Sequence, residues 1–145
     1  MDNRDTILAY LAGIIDGEGC IYINTKKATA TRRPGHTVVL TIVQKERGWL
    51  EMLQERTGFD GTMYTYNRAS PVTAWRLTGK DAIEMLEAVL PYLTLKKNQA
   101  EGALELAKTI SLKRKPHLTP EVVEYRNWVK QSISDFNQRA HRWDV

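Results

Sequence analysis

The sequence predicts a mixed α/β fold: helix, hairpin, helix, hairpin, helix, followed by two C-terminal helices. Three observations carry this. The hydrophobic period switches from helical to alternating and back, twice, within about the first ninety residues. Each alternating stretch is split by a turn signal, "RRPGH" in the first and "NRASP" in the second. Both stretches have one apolar and one polar face, so they combine into a four-stranded antiparallel sheet that helices cover on one side and leave bare on the other.

Leu8, Leu11, Ala12 and Ile15 recur at i, i+3, i+4 and i+7, which predicts a helix over residues 6 to 17. From Cys20 the period becomes two, with Ile21 and Ile23 on one face and Tyr22, Asn24 and Lys26 on the other. After the turn, Val38, Leu40 and Ile42 alternate with Thr37, Val39 and Thr41, completing a long hairpin. Trp49, Leu50 and Leu53 restore the helical period over about residues 45 to 56, and Gly58 suits the position just past a helix end. Residues 62 to 66 and 72 to 77 read as the second hairpin, and residues 80 to 90 as a helix that Pro91 ends. Two more helices are predicted, over about residues 97 to 110 and from Pro120 to about residue 139. No linker or low-complexity segment interrupts the chain, so a single domain over residues 1–145 is expected.

Composition narrows the class. A 42% hydrophobic content is that of a globular chain, and no apolar run reaches the length of a membrane span. The opening residues "MDNRDTILAY" carry acids where a signal peptide carries bases. A single cysteine, Cys20, excludes an internal disulfide and a multi-cysteine metal site. An intracellular location is expected, in a cytoplasm, a nucleoid or an organelle. Net charge is +4, and the bases cluster: Lys26, Lys27, Arg32 and Arg33 fall between Cys20 and Val43 with no acid among them. Arg68, Arg76 and Lys80 do the same between Gly61 and Lys80. A sheet with a bare, basic face suits a nucleic acid, and a two-stranded ribbon fits the B-DNA major groove. Tyr22, Tyr64 and Tyr66 on that face keep RNA open, since RNA-binding sheets stack bases on aromatics. His36, His117 and His141 are scattered and read as surface residues.

The stretch "AYLAGIIDGEGCIYI", residues 9 to 23, joins the first helix to the first strand. Ala9, Gly13 and Gly17 fall every fourth residue, a stripe that lets two helix backbones approach closely. Glycine inside a helix costs about 1 kcal/mol against alanine, so Gly13 suggests a packing contact with a second copy; an internal helix pair or a local kink is the alternative. Asp16 and Glu18 stand at the negative end of the helix dipole, where carboxylates are disfavoured. A divalent cation would offset the repulsion, and carboxylate, carbonyl and water are the ligands Mg²⁺ accepts. Solvated acids in a tight turn are the alternative.

"LAGIIDGEG", residues 11 to 19, resembles the signature of the LAGLIDADG homing endonucleases, with acids at its sixth and eighth positions. The order of elements resembles that family from about residue 6 to 110. The resemblance implies a saddle-shaped sheet and, with one motif in the chain, a homodimer. It implies that Glu18 is the catalytic carboxylate and a metal ligand, with the Gly17 carbonyl beside it; Asp16 looks like a helix-end residue. "TIVQK" and "WLEML" are similar to the end of the second strand and the next helix of homodimeric members, which aligns Gln44 with a water-positioning residue and Arg47 with a basic one. "LPYLTLKKNQA" places the family's active-site lysine on Lys96.

The same resemblance implies hydrolysis of both strands of double-stranded DNA, leaving 3′ overhangs. Mg²⁺ is the metal, Mn²⁺ its substitute, and no organic cofactor or membrane is involved. Two chains packed along Ala9, Gly13 and Gly17 would bring two Glu18 carboxylates to the centre, each serving one strand, on a long, roughly palindromic target. By strand parity Tyr22, Asn24, Lys26, Thr37, Val39, Thr41, Tyr64, Tyr66 and Arg76 are candidates for base contact. Arg32, Arg33 and Arg68, near hairpin tips, suit phosphates or outer bases. A non-cleaving RNA maturase or DNA-binding regulator of the same fold is the alternative function.

Overall fold

A computed structural model describes residues 3–27, 29–31, 35–110 and 119–141. The elements are α1 (Arg4–Glu18), β1 (Gly19–Lys26), β2 (Gly35–Gln44), α2 (Arg47–Thr57), β3 (Thr62–Tyr66), β4 (Val72–Thr78), α3 (Lys80–Val89), a 3₁₀ turn (Leu90–Tyr92), α4 (Lys97–Ile110) and α5 (Pro120–His141). The strands form one antiparallel sheet in the order β1-β2-β4-β3, so the two hairpins join through β2 and β4. The mixed α/β architecture read from the hydrophobic period is the one observed.

α1 is longer than the periodicity predicts. Its start is set by Asn3, whose Oδ1 accepts the Asp5 N–H at 3.0 Å, a polar cap that carries no apolar signal. At the other end the helix runs through Glu18, so both motif acids lie in its last turn. The Gly19 N–H closes that turn on the Ile15 carbonyl. Gly19 then turns the chain straight into β1. A Cβ there would stand 2.9 Å from both Cα and the carbonyl oxygen of Ile15, backbone atoms that cannot swing aside. Gly19→Ala is therefore expected to destabilise the chain by about 1–3 kcal/mol, as overpacking does, which urea unfolding followed by circular dichroism will check.

The inner sheet face is apolar. Ile21, Ile23, Val38, Leu40, Ile42, Trp75 and Leu77 are buried against Leu8, Leu11 and Ile15 of α1 and against α3 and α4. Trp75 is fully buried and satisfies its indole N–H on the Asp60 carbonyl at 2.8 Å. Gly58, at φ 75°, ends α2 in the left-handed conformation its position predicts.

α5 lies along β1, one edge of the sheet. Asn137 donates to the Ile21 carbonyl at 2.9 Å, and Lys130 Nζ donates to Thr25 Oγ1. His36 Nε2 pairs with Asn127 Oδ1 at 2.9 Å. The surface position expected for His36 is thereby corrected: α5 covers it and leaves it 6% exposed. His117 lies outside the described residues, and so does the side chain of His141. Arg126 ties α5 to the end of α4, donating from Nε to Thr109 Oγ1 and from Nη2 to the Thr109 carbonyl, both at 2.9 Å. Among the described residues no helix is long and apolar enough to cross a membrane.

Candidate active site and nucleic-acid interface

The last turn of α1 gathers three of the four residues that the resemblance makes catalytic, Glu18, Gln44 and Lys96. Helices end with carbonyls that have no intrahelical partner, and acids there face the dipole's negative end. Glu18 is exposed at this end, and its Oε2 accepts a hydrogen bond from Gln44 Nε2 at 2.7 Å. Gln44, the last residue of β2, is itself fixed: its Oε1 accepts the Lys45 N–H at 2.8 Å. That pair of bonds settles the amide's orientation and aims an N–H at the carboxylate. Lys96 reaches the same helix end, its Nζ donating to the Asp16 carbonyl at 2.8 Å.

The charge of Lys96 is felt at Cys20, two residues beyond Glu18. Burial of the sulfur raises the Cys20 thiol above its ordinary pKa, and Lys96 works against that shift.

Arg47 is not brought to this cluster. Its Nη1 donates to Thr65 Oγ1 at 2.9 Å, and its Nε pairs with Glu51 at 3.3 Å. Thr65 in turn bonds Thr73 Oγ1 at 2.9 Å, so the guanidinium braces β3 and β4.

Among the described residues no group of three or more His, Cys, Asp or Glu side chains could hold a metal ion by itself. What one chain offers is the Glu18 carboxylate, one oxygen of which is engaged by Gln44, and the Gly17 carbonyl, one of the helix-end set. These are hard oxygen donors of the kind Mg²⁺ takes, and too few to enclose it; phosphate, water or a second copy must complete the shell.

The bare sheet face follows the predicted parity. In register, Tyr22 opposes Val39, Asn24 opposes Thr37, Thr41 opposes Arg76, and Arg76 opposes Thr62. Tyr64 and Tyr66 lie on this face as an exposed pair with centroids 5.9 Å apart. Arg76 stands at its middle, partly covered, and its buried Nε has no hydrogen-bond partner. Val39 is a correction. Its parity is outward, but it sits between Tyr22 and Thr78 in the two central pairings and has no exposed surface, so its side chain is not available to a base. Arg32 and Arg33 lie outside the described residues, and Arg68 is exposed in the turn before β4.

The stripe Ala9, Gly13 and Gly17 is exposed on α1, and a Cβ added at Gly13 or Gly17 would meet nothing within 4 Å in the chain. Among the described residues no other part of the chain packs on Gly13 or Gly17. Two large apolar groups that sequence reasoning passed over accompany the stripe. Tyr10 is 49% exposed and packs edge-on to Trp49, its hydroxyl accepting the indole N–H at 3.1 Å. Leu95, beside Lys96, is 74% exposed.

Comparison with known proteins fits this geometry. The family model described as LAGLIDADG endonuclease matches residues 11–101. No curated protein matches the chain. Among solved structures, the homing endonuclease I-CvuI, in complex with its target in the presence of 2 mM Ca, aligns with a TM-score of 0.76 and 24% identity over 92% of this chain and 83% of that one. The archaeal intron-encoded homing endonuclease I-Vdi141I, complexed with DNA, has the same TM-score of 0.76 at 18% identity, over 92% of this chain and 86% of that one. The meganuclease I-SmaMI, bound to uncleavable DNA, aligns over 86% of this chain and 43% of its own, with a TM-score of 0.71 and 22% identity. At these identities the likeness is one of fold.

Proposed function

The chain belongs to the LAGLIDADG endonuclease family, and from that premise we propose that it is a site-specific homing endonuclease that acts as a homodimer. Each copy is a single domain. The pair binds a long, pseudo-palindromic DNA target and hydrolyses both strands with Mg²⁺, leaving 3′ overhangs. The observation that carries the reading is the Gln44–Glu18 hydrogen bond of 2.7 Å at the join of α1 and the sheet. It fixes an exposed carboxylate beside a bare, basic face.

In this reading Glu18 and the Gly17 carbonyl hold the cation. A divalent cation so held stabilises charge on the phosphate and its leaving oxygen and lowers the pKa of bound water. Gln44 keeps Oε2 of Glu18 engaged and leaves Oε1, which would be the oxygen to hold a cation. Lys96 exchanges the Asp16 carbonyl for a phosphate oxygen or an ordered water. Arg47, tied to Thr65 and Glu51, acts on the frame of the sheet rather than on the reacting atoms. The exposed stripe with Tyr10 and Leu95 supports the second copy as its cover, because empty space at Gly13 serves no contact within one chain.

The test is incubation with a randomised duplex library in Mg²⁺ and sequencing of the cut ends. The expected products carry 3′ overhangs from one symmetric site; random nicking, or no metal-dependent cutting, would refute the reading. Arg76 supplies a finer prediction. It stands at the centre of the face and its side chain is partly exposed, and a guanidinium is suited to a base acceptor. Arg76→Ala is expected to relax specificity at a limited set of symmetric positions, by about 1–3 kcal/mol each, in the same library assay. An unchanged cleavage profile would remove Arg76 from the reading surface.

A further inference from the structure

Asp16 is the motif acid that the proposed chemistry leaves without a task. Its carboxylate is fully engaged. Oδ2 accepts the Thr94 N–H and Oδ1 the Lys96 N–H, each at 2.9 Å, while its own carbonyl accepts Lys96 Nζ at 2.8 Å. One residue thus grips Lys96 by backbone and by side chain. The gripped segment is short and irregular: it lies between the 3₁₀ turn and α4, and the Lys96 carbonyl already accepts the Ala100 N–H of α4 at 3.0 Å. The Asp16 carboxylate therefore stands before the amino end of α4, where negative charge is favoured, and this offsets its poor place at the carboxyl end of α1.

We propose that Asp16 is the positioning residue of the reaction: it sets where the Lys96 ammonium stands relative to Glu18. The proposal rests on the endonuclease reading, with Lys96 touching phosphate or water. Glu18 is two residues from Asp16 on the same turn, so the amide clamp at Asp16 sets where the Lys96 backbone stands, and with it the reach of the ammonium toward the groups beside Glu18. A carboxylate bonded by two amides is a charge-assisted clamp, stronger than a neutral one.

The experiment compares wild type, Asp16→Asn, Lys96→Ala and the double variant on the selected target. Single-turnover cleavage, DNA affinity in EDTA, thermal unfolding and amide hydrogen exchange are measured on each. Asparagine keeps the shape but can accept only one of the two amides. Asp16→Asn is expected to cut roughly a hundredfold more slowly, the scale of loss a displacement near 1 Å produces. Its DNA affinity should stay within about threefold of wild type, while the Thr94 and Lys96 amides exchange about tenfold faster. The double variant should cut no more slowly than Lys96→Ala, since the clamp acts only through that lysine. Four results would overturn the proposal: normal cutting by Asp16→Asn, unchanged exchange at both amides, losses that multiply in the double variant, or a fall in cleavage matched by a fall in affinity or folding. A wild type that binds DNA and never cuts would instead overturn the endonuclease reading, and the proposal with it.

Discussion

Glu18→Gln is expected to bind DNA as the wild type does and to cut it about a thousandfold more slowly. The expectation comes from charge. A neutral amide of the same shape replaces the one side-chain carboxylate that the chain offers for the cation, and electrostatic stabilisation worth several kcal/mol is lost, at about 1.4 kcal/mol for each factor of ten. Affinity should hold because the face proposed to read DNA lies on the strands, while Glu18 sits at the end of α1. Gln44 remains as a partner for the new amide oxygen, so the helix end keeps its local hydrogen bond. The measurement is single-turnover cleavage in Mg²⁺ beside a binding titration in EDTA. Normal cleavage by the glutamine variant would remove Glu18 from the metal site.

Gly13→Leu should separate folding from assembly. Leu8, Leu11 and Ile15 fill the chain's own core, and a Cβ at Gly13 meets nothing within 4 Å among the described residues, so a leucine there has open space to enter. Replacing a helical glycine should even favour the helix, by up to about 1 kcal/mol. Between two copies the same side chain falls on both helices at the closest approach, an overpacking cost of about 1–3 kcal/mol at each site. Sedimentation should show the wild type as a dimer on DNA and the variant shifted toward monomer, with an unchanged far-ultraviolet spectrum. Cleavage should fall about a hundredfold or more, since both Glu18 carboxylates move together. A folded variant that stays dimeric and cuts normally would rule out this seam, and a wild type that cuts both strands as a bound monomer would rule out the two-chain mechanism.

Much of the fold is legible in sequence because it is built from faces. A hairpin covered on one side must alternate, and a helix packed on it must repeat near every 3.6 residues, so elements and strand parity follow from the period. What the period leaves out is who covers whom. Val39 has outward parity, yet between β1 and β4 it keeps no exposed surface. His36 is buried by a helix whose Asn127 lies 91 residues away in the chain. The grip of Asp16 depends on amides 78 and 80 residues further on. The one local sign of it is a carboxylate placed against a helix dipole, which names a problem without naming the partner. Alignment puts Arg47 near the reacting groups, but its long side chain turns to hydroxyl and carboxylate acceptors that no spacing rule would select.

The placement of α5 bears on how such a chain avoids uncontrolled strand pairing with other copies. A sheet of four strands has two open edges, and an open edge is a template on which another chain can add a strand. Along β1 the outward Ile21 carbonyl is taken by Asn137, and the α5 side chains Lys130 and Asn127 bond to hairpin residues Thr25 and His36. The opposite edge, β3, is mostly exposed among the described residues and runs for only 5 residues. One edge is shielded and the other is too short to recruit well. Removing α5 would leave the helices that carry the cluster in place while converting an eight-residue strand into an open edge. Such a truncation should fail first by intermolecular strand addition, seen as thioflavin-positive aggregate, before it fails by loss of the catalytic groups.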